Sequence, residues 1–200
     1  GSYTGPVQFN FGRSMHPVLE TTHGKTSVLS ADSDDGGAGG NMFADHRLAY
    51  ALIRFHGVID EHAAKDTRLT EDDVDLLGEA LWHGLRAETN TSSKRGHEPR
   101  LLARVEYAEE SYHLGDLHQT LSLNPRVEDP KAMRDISDLD VVIDEFVDTL
   151  AEEEKRVASV TVHTSRRLQV SYDGEHGSPE LLEQALGDAV GADSVTVTYE

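Results

Sequence analysis

The chain has 200 residues, 37% of them hydrophobic and 28% charged, enough for one or two domains with a real core. It has no cysteine, which excludes disulfides, thiolate chemistry and cysteine-ligated zinc or iron–sulfur centres. No run nears the roughly 18 apolar residues of a membrane span, and no basic-then-apolar signal peptide opens the chain, so a cytoplasmic location is expected.

A formal net charge of −19 argues against nucleic acid in a moderately salted cytoplasm, where phosphates are repelled over a Debye length of about 8 Å. The acids, however, cluster in "TEDDVDLLGE" and "VIDEFVDTLAEEE", and lysine is scarce beside arginine, a composition suited to molar salt. At about 1 M salt the Debye length falls to near 3 Å, so only cations and hydrogen-bond donors in contact with a ligand act on it.

In chain order, residues 7 to 11 (Val7, Gln8, Phe9, Asn10, Phe11) alternate apolar and polar, the period of a half-buried strand. "GRSMH" then begins like a G-x-S-x-G nucleophile elbow. His16 takes the place of the closing glycine and Pro17 follows, so the tight turn that would activate Ser14 cannot close. "VLETTHGKTSVLS" reads as extended chain. Its "HGKTS" is not a phosphate-cradling loop, because Leu19 stands where the first glycine is required. "ADSDDGGAGGN" breaks all periodicity and is expected to be a mobile loop tip.

Residues 48 to 60 resume a strand pattern. A helix follows from Thr70 as N-cap, with acids in its first turn and Leu76, Leu77, Ala80, Leu81 and Leu85 predicted along one face. A polar loop over residues 89 to 100 leads into "LLARVEYAEESYHLGDLHQTLSL", one or two strands around a turn. There His113, Asp116 and His118 lie close in sequence, but no H-E-x-x-H helix frames them, and no metal is expected. Met15, Met42 and Trp82 read as core or loop residues.

A second long helix is predicted from Ser137 or Asp138, with Leu139, Val142, Ile143, Phe146, Val147 and Leu150 at helical spacing. The tail gives a strand, a helix opening at Ser178-Pro179 and a last strand "SVTVTY". Strands alternate with helices but also follow one another directly, so the class is α+β with an antiparallel sheet.

The remaining polar and basic set lies in the loops and strand ends: Gln8, Asn10, Arg13, Ser14, His16, His23, Lys25, His46, Arg47, Ser93, Lys94 and Arg95. From Ser92 to Arg104, four basic residues (Lys94, Arg95, Arg100, Arg104) face one acid, Glu98. Arginines beside hydroxyls and glycines suit phosphate oxygens. A solvated loop that merely offsets acids fits the same composition.

The order of "TGPVQFNFGRSMHPV", "LAYALIRFHGVIDEHAAKDTRLTEDDVDLLGEALWHG", "SSKRGHEPRLLARVEY" and "YHLGDLHQTLSL" resembles the backbone subunit of type I CRISPR interference (Cascade) complexes. The subtype I-B branch of the RAMP superfamily is the nearest match. The resemblance spans nearly the whole chain. It implies a modified RNA-recognition-motif (ferredoxin-like) sheet with a thumb inserted at about 18–47. On this reading residues 1–165 form an incomplete palm that carries the thumb, and residues 166–200 complete it as strand, helix and strand. The family's first strand and helix precede the part matching "GPVQF", so this sequence reads as the C-terminal two thirds.

The resemblance further implies a non-catalytic subunit that binds CRISPR guide RNA through the residue set above. Its partners would be copies of itself, other Cascade subunits and, through the guide, target DNA, with no cofactor and no membrane. A halophilic source fits the composition. The family places the "GRS" stretch on RNA phosphates and His16 at the strand-to-thumb corner. An enzymatic alternative is a guide-processing ribonuclease of the same superfamily, with His16 or His23 as general acid/base.

Overall fold

The computed structural model describes residues 4–27, 41–88 and 96–200, with backbone alone at 23, 25–27, 41–43 and 45. The glycine-rich stretch expected as a mobile tip, and Ser93, Lys94 and Arg95, lie outside the described residues.

The N-terminal part forms six short strands: β1 (Val7–Phe9), β2 (Arg13–Ser14), β3 (Glu20–Ser27), β4 (Asn41–Leu48), β5 (Ile53–Arg54) and β6 (Gly57–Ile59). They pair by nesting, β1 with β6, β2 with β5 and β3 with β4, all antiparallel. Backbone hydrogen bonds from Asn10 to His56, Met15 to Leu52 and Ala49 to Leu19 bridge the gaps between pairs. The three ribbons thus make one interrupted arm. The strand predicted over 48–60 is broken into β5 and β6.

Two helices follow. In α1 (Glu61–Thr67), the Asp60 carboxylate caps the amides of His62 and Ala63, and those bonds hold its carboxyl below the usual range. In α2 (Glu71–Ala87), the Thr70 cap is present as expected and is reciprocated by Asp73 in a capping box. The predicted apolar face is only partly used. Leu76 is 66% exposed and Leu85 45%, whereas Val74 and Trp82 are buried. The buried stripe is rotated because Trp82, the largest side chain on the helix, packs toward the body.

The body comprises β7 (Leu101–Tyr107), β8 (Ser122–Pro125), β9 (Leu139–Val142), α3 (Asp144–Glu152), β10 (Val157–Thr164), β11 (Val170–Tyr172), β12 (Glu175–Gly177), α4 (Pro179–Val190) and β13 (Val195–Tyr199). One sheet has the order β13-β10-β7 and another β12-β11-β9-β8. The main buried core draws on residues from Met133 to Val190, and Tyr50 and Leu52 pack against it from the arm. Those two contacts seat the base of the arm on the body.

Two expectations change here. Residues 139–142 are a strand, and the helix starts only at Asp144. The run "LDVV" is nearly all apolar and buried, so helical and strand spacing cannot be separated within it, and its β-branched pair suits a sheet. The sheets are also mixed: β10–β13 and β9–β11 pair in parallel. Parallel neighbours require a crossover, which α4 supplies between β10 and β13. β11 and β12 meet at Asp173-Gly174, both with positive φ, a tight hairpin that Asp-Gly favours. No helix among the described residues is long and apolar enough to cross a membrane.

Candidate nucleic-acid interface

Side chains alternate across a strand, so Arg13 should lie opposite to Gln8 and Asn10. The register prevents this. Between the Asn10–His56 hydrogen bond and the Arg13–Arg54 pair, one strand advances from 10 to 13 while its partner moves only from 56 to 54. The extra residue at Phe11-Gly12 is a bulge, and it flips the alternation. Gln8, Asn10, Arg13, Arg54 and His56 therefore share one face of the arm. A Cβ at Gly12 would stand 2.5 Å from the ring of Phe55 and would push that exposed side chain aside.

A second extra residue enters between Met15–Leu52 and Leu19–Ala49, around His16-Pro17. Here the His16 ring turns inward, while Ser14 stays exposed. The Ser14 hydroxyl donates to the His16 carbonyl at 2.7 Å. His16 is buried, its Nε2 accepts from the Leu52 amide at 3.2 Å, and its Nδ1 lies 2.8 Å from the Pro17 carbonyl. Both ring nitrogens are engaged, and the ring stacks on Tyr50. Ser14 and His16 thus shape the corner, with the Ser14 hydroxyl and both ring nitrogens of His16 engaged there.

On the β3–β4 ribbon the predicted residues divide. By register His23, Lys25 and Arg47 fall on one face, and His46 on the other. His46 is exposed and sits 2.6 Å from the Glu20 carboxylate. In the basic run ending at Arg104, Arg104 is neutralised by Asp75 and Glu106, each at 2.7 Å, whereas Arg100 donates to the neutral Ser165 hydroxyl.

Three residues that sequence reasoning did not select join the Arg13 face. Arg54 and His56 come from the returning strand of the arm. His118 comes from the turn after β7 and stacks on His56, with ring centroids 4.4 Å apart and planes 16° from parallel. Burial first, then His56 and Arg54, pull the His118 pKa below its ordinary value. In sequence His118 stands close to His113 and Asp116, where no metal is expected, whereas in the fold its ring partner is His56. Proximity in the fold, not spacing in the chain, selects this trio.

The family model described as CRISPR-associated protein Cas7 matches residues 1–144. A curated relative from Haloferax volcanii, "CRISPR-associated protein Cas7", is 34% identical over 176 residues, covering 87% of this chain and 51% of its own length. The chain thus spans about half the length of that relative. Two solved structures also align, each with a TM-score of 0.48. One, titled "CRISPR RNA-guided surveillance complex, pre-nicking", is 17% identical and covers 94% of this chain and 51% of its own. The other, "CRISPR RNA-guided surveillance complex", is 16% identical and covers 92% and 70%. With the family model matching well over half of its residues, this chain belongs to the CRISPR-associated Cas7 family.

Proposed function

We propose that this chain is a guide-RNA-binding backbone subunit of a type I CRISPR interference complex, with no catalytic activity of its own. The observation that carries the reading, beside family membership, is the arm face where a bulge gathers Gln8, Asn10, Arg13, Arg54 and His56. Amide, guanidinium and imidazole donors on an extended surface suit a sugar–phosphate backbone and leave bases unread. Copies of the chain would line the guide, beside other Cascade subunits, and hold it in the cytoplasm for pairing with target DNA.

In this reading the β3–β4 ribbon is the thumb, within the expected span of about 18–47. Residues 1–165 supply the rest of an RNA-recognition-motif-like palm, and residues 166–200 complete it. The β10–α4–β13 crossover beside antiparallel β7 supports that assignment. His23, Lys25, Arg47, Lys94 and Arg95 extend the RNA track. The ribonuclease alternative is weaker, because both ring nitrogens of His16 are engaged within the fold.

The test mixes the protein with labelled single-stranded RNAs, one repeat-derived and others of unrelated sequence, in concentrated KCl without divalent metal. Comparable affinities and intact RNA are expected. Absence of binding overturns the reading, and shortened product restores the ribonuclease.

A further inference from the structure

Several arginines of the described residues are neutralised by carboxylates. Arg86, Arg104 and Arg156 each pair with two carboxylates, and Arg126 grips the buried Asp140. The guanidinium groups of Arg68, Arg100 and Arg134 have no carboxylate partner among the described residues, and neither do those of Arg13 and Arg54, which are set apart by their placement. They stand directly opposite each other in the β2–β5 register. Like charges in cross-strand positions are destabilising. With 37 acids available against 18 lysines and arginines, an unneutralised arginine pair is not explained by a shortage of partners.

The surroundings add two imidazoles. The His56–His118 stack lies beside the pair, and Arg54 uses one guanidinium donor on the Leu121 carbonyl at 2.9 Å. Arg13 and Arg54 both act electrostatically on His118, opposed by Asp116, whose carboxylate accepts from the Gln119 amide at 2.6 Å. Nδ1 of His118 is buried without a hydrogen-bond partner. A cluster of donors with an unmet charge fits an anion.

We infer that Arg13, Arg54, His56 and His118 together form the seat of one backbone phosphate of single-stranded RNA. The inference rests on the RNA-binding function proposed above and deepens it by adding His118 as a binding residue and by assigning the four side chains to one phosphate. The seat joins the arm, which carries the first three, to the body, which carries His118. A bound phosphate would neutralise the arginine pair and lock the two parts together.

The test compares the unaltered protein with Arg13→Gln and Arg54→Gln, reading fluorescence anisotropy of mixed-sequence RNA across a KCl series. Each substitution should weaken binding about tenfold, as expected for a charge-assisted hydrogen bond. Each should also reduce the slope of log affinity against log salt by about 0.7, one phosphate contact on a single strand. Arg13→Gln should leave the thermal midpoint of the free protein unchanged or raised, since it relieves repulsion; a merely structural arginine would lower it. In the unaltered protein the imidazole NMR signals of His56 and His118 should move on adding RNA. If the unaltered protein binds RNA but these signals stay fixed and both variants keep its salt slope, the seat is overturned and the broader function stands. If the unaltered protein binds no RNA, both fall.

Discussion

The amide of Leu52 donates a 3.2 Å hydrogen bond to Nε2 of His16, tying the two strands of the arm together at its second bulge. Nε2 must be unprotonated to accept, so the ring proton sits on Nδ1 and points at the Pro17 carbonyl 2.8 Å away. Replacing His16 with Ala leaves the Leu52 amide and the Pro17 carbonyl to find other partners. A loss of about 2 kcal/mol in urea unfolding is expected, with partial recovery in His16→Gln. RNA affinity of the folded fraction should barely change; a large drop with intact stability would make His16 an RNA contact after all.

Trp82 is 2% exposed, lies near His163 and leaves its indole N–H without a partner. Trp82→Ala should cost about 3–5 kcal/mol through the cavity it opens between α2 and the three-stranded sheet. Trp82→Phe should cost less than half of that, because it also removes the unsatisfied donor. Equal losses in denaturant titrations of the two variants would contradict this packing.

His118 carries a pH dependence whose sign follows from its burial. Its folded pKa lies below the ordinary 6.5, so between those values the unfolded chain holds a proton that the folded chain lacks. This contribution to stability is complete above about pH 6.5 and is lost as pH falls toward the folded value. Urea unfolding from about pH 5 to about pH 8 should show stability rising with pH, and His118→Asn should flatten the rise. An unchanged slope in the variant would assign the effect to other groups.

The acid-rich surface predicts a response to salt. With 37 acids against 18 lysines and arginines, screening of repulsion should raise the thermal midpoint as KCl goes from about 0.1 M to about 2 M. The first turn of α2 holds Glu71, Asp72 and Asp73 side by side, so part of the gain should vanish in Glu71→Gln/Asp72→Asn. A flat curve in the unaltered protein would remove salt adaptation as the reason for the composition.

What the sequence determined by itself was local. Thr70 and the acids behind it announce the start of α2, Ser178-Pro179 that of α4, and Asp173-Gly174 has the dipeptide of a tight hairpin, because caps and turns depend on residues a few positions apart. The face that α2 buries was decided elsewhere, by the sheet against which Trp82 packs, which leaves Leu76 and Leu85 exposed despite their spacing. "LDVV" became a strand because β8 and β11 flank it, a choice its apolar run left open. The binding face depended most on tertiary structure. One extra residue at Phe11-Gly12 turns Arg13 to the side of Gln8 and Asn10, and only the folded chain brings His118 onto His56. Alternation can be read along one strand, but a bulge exists only relative to a partner strand, and a stack of two distant rings only in three dimensions.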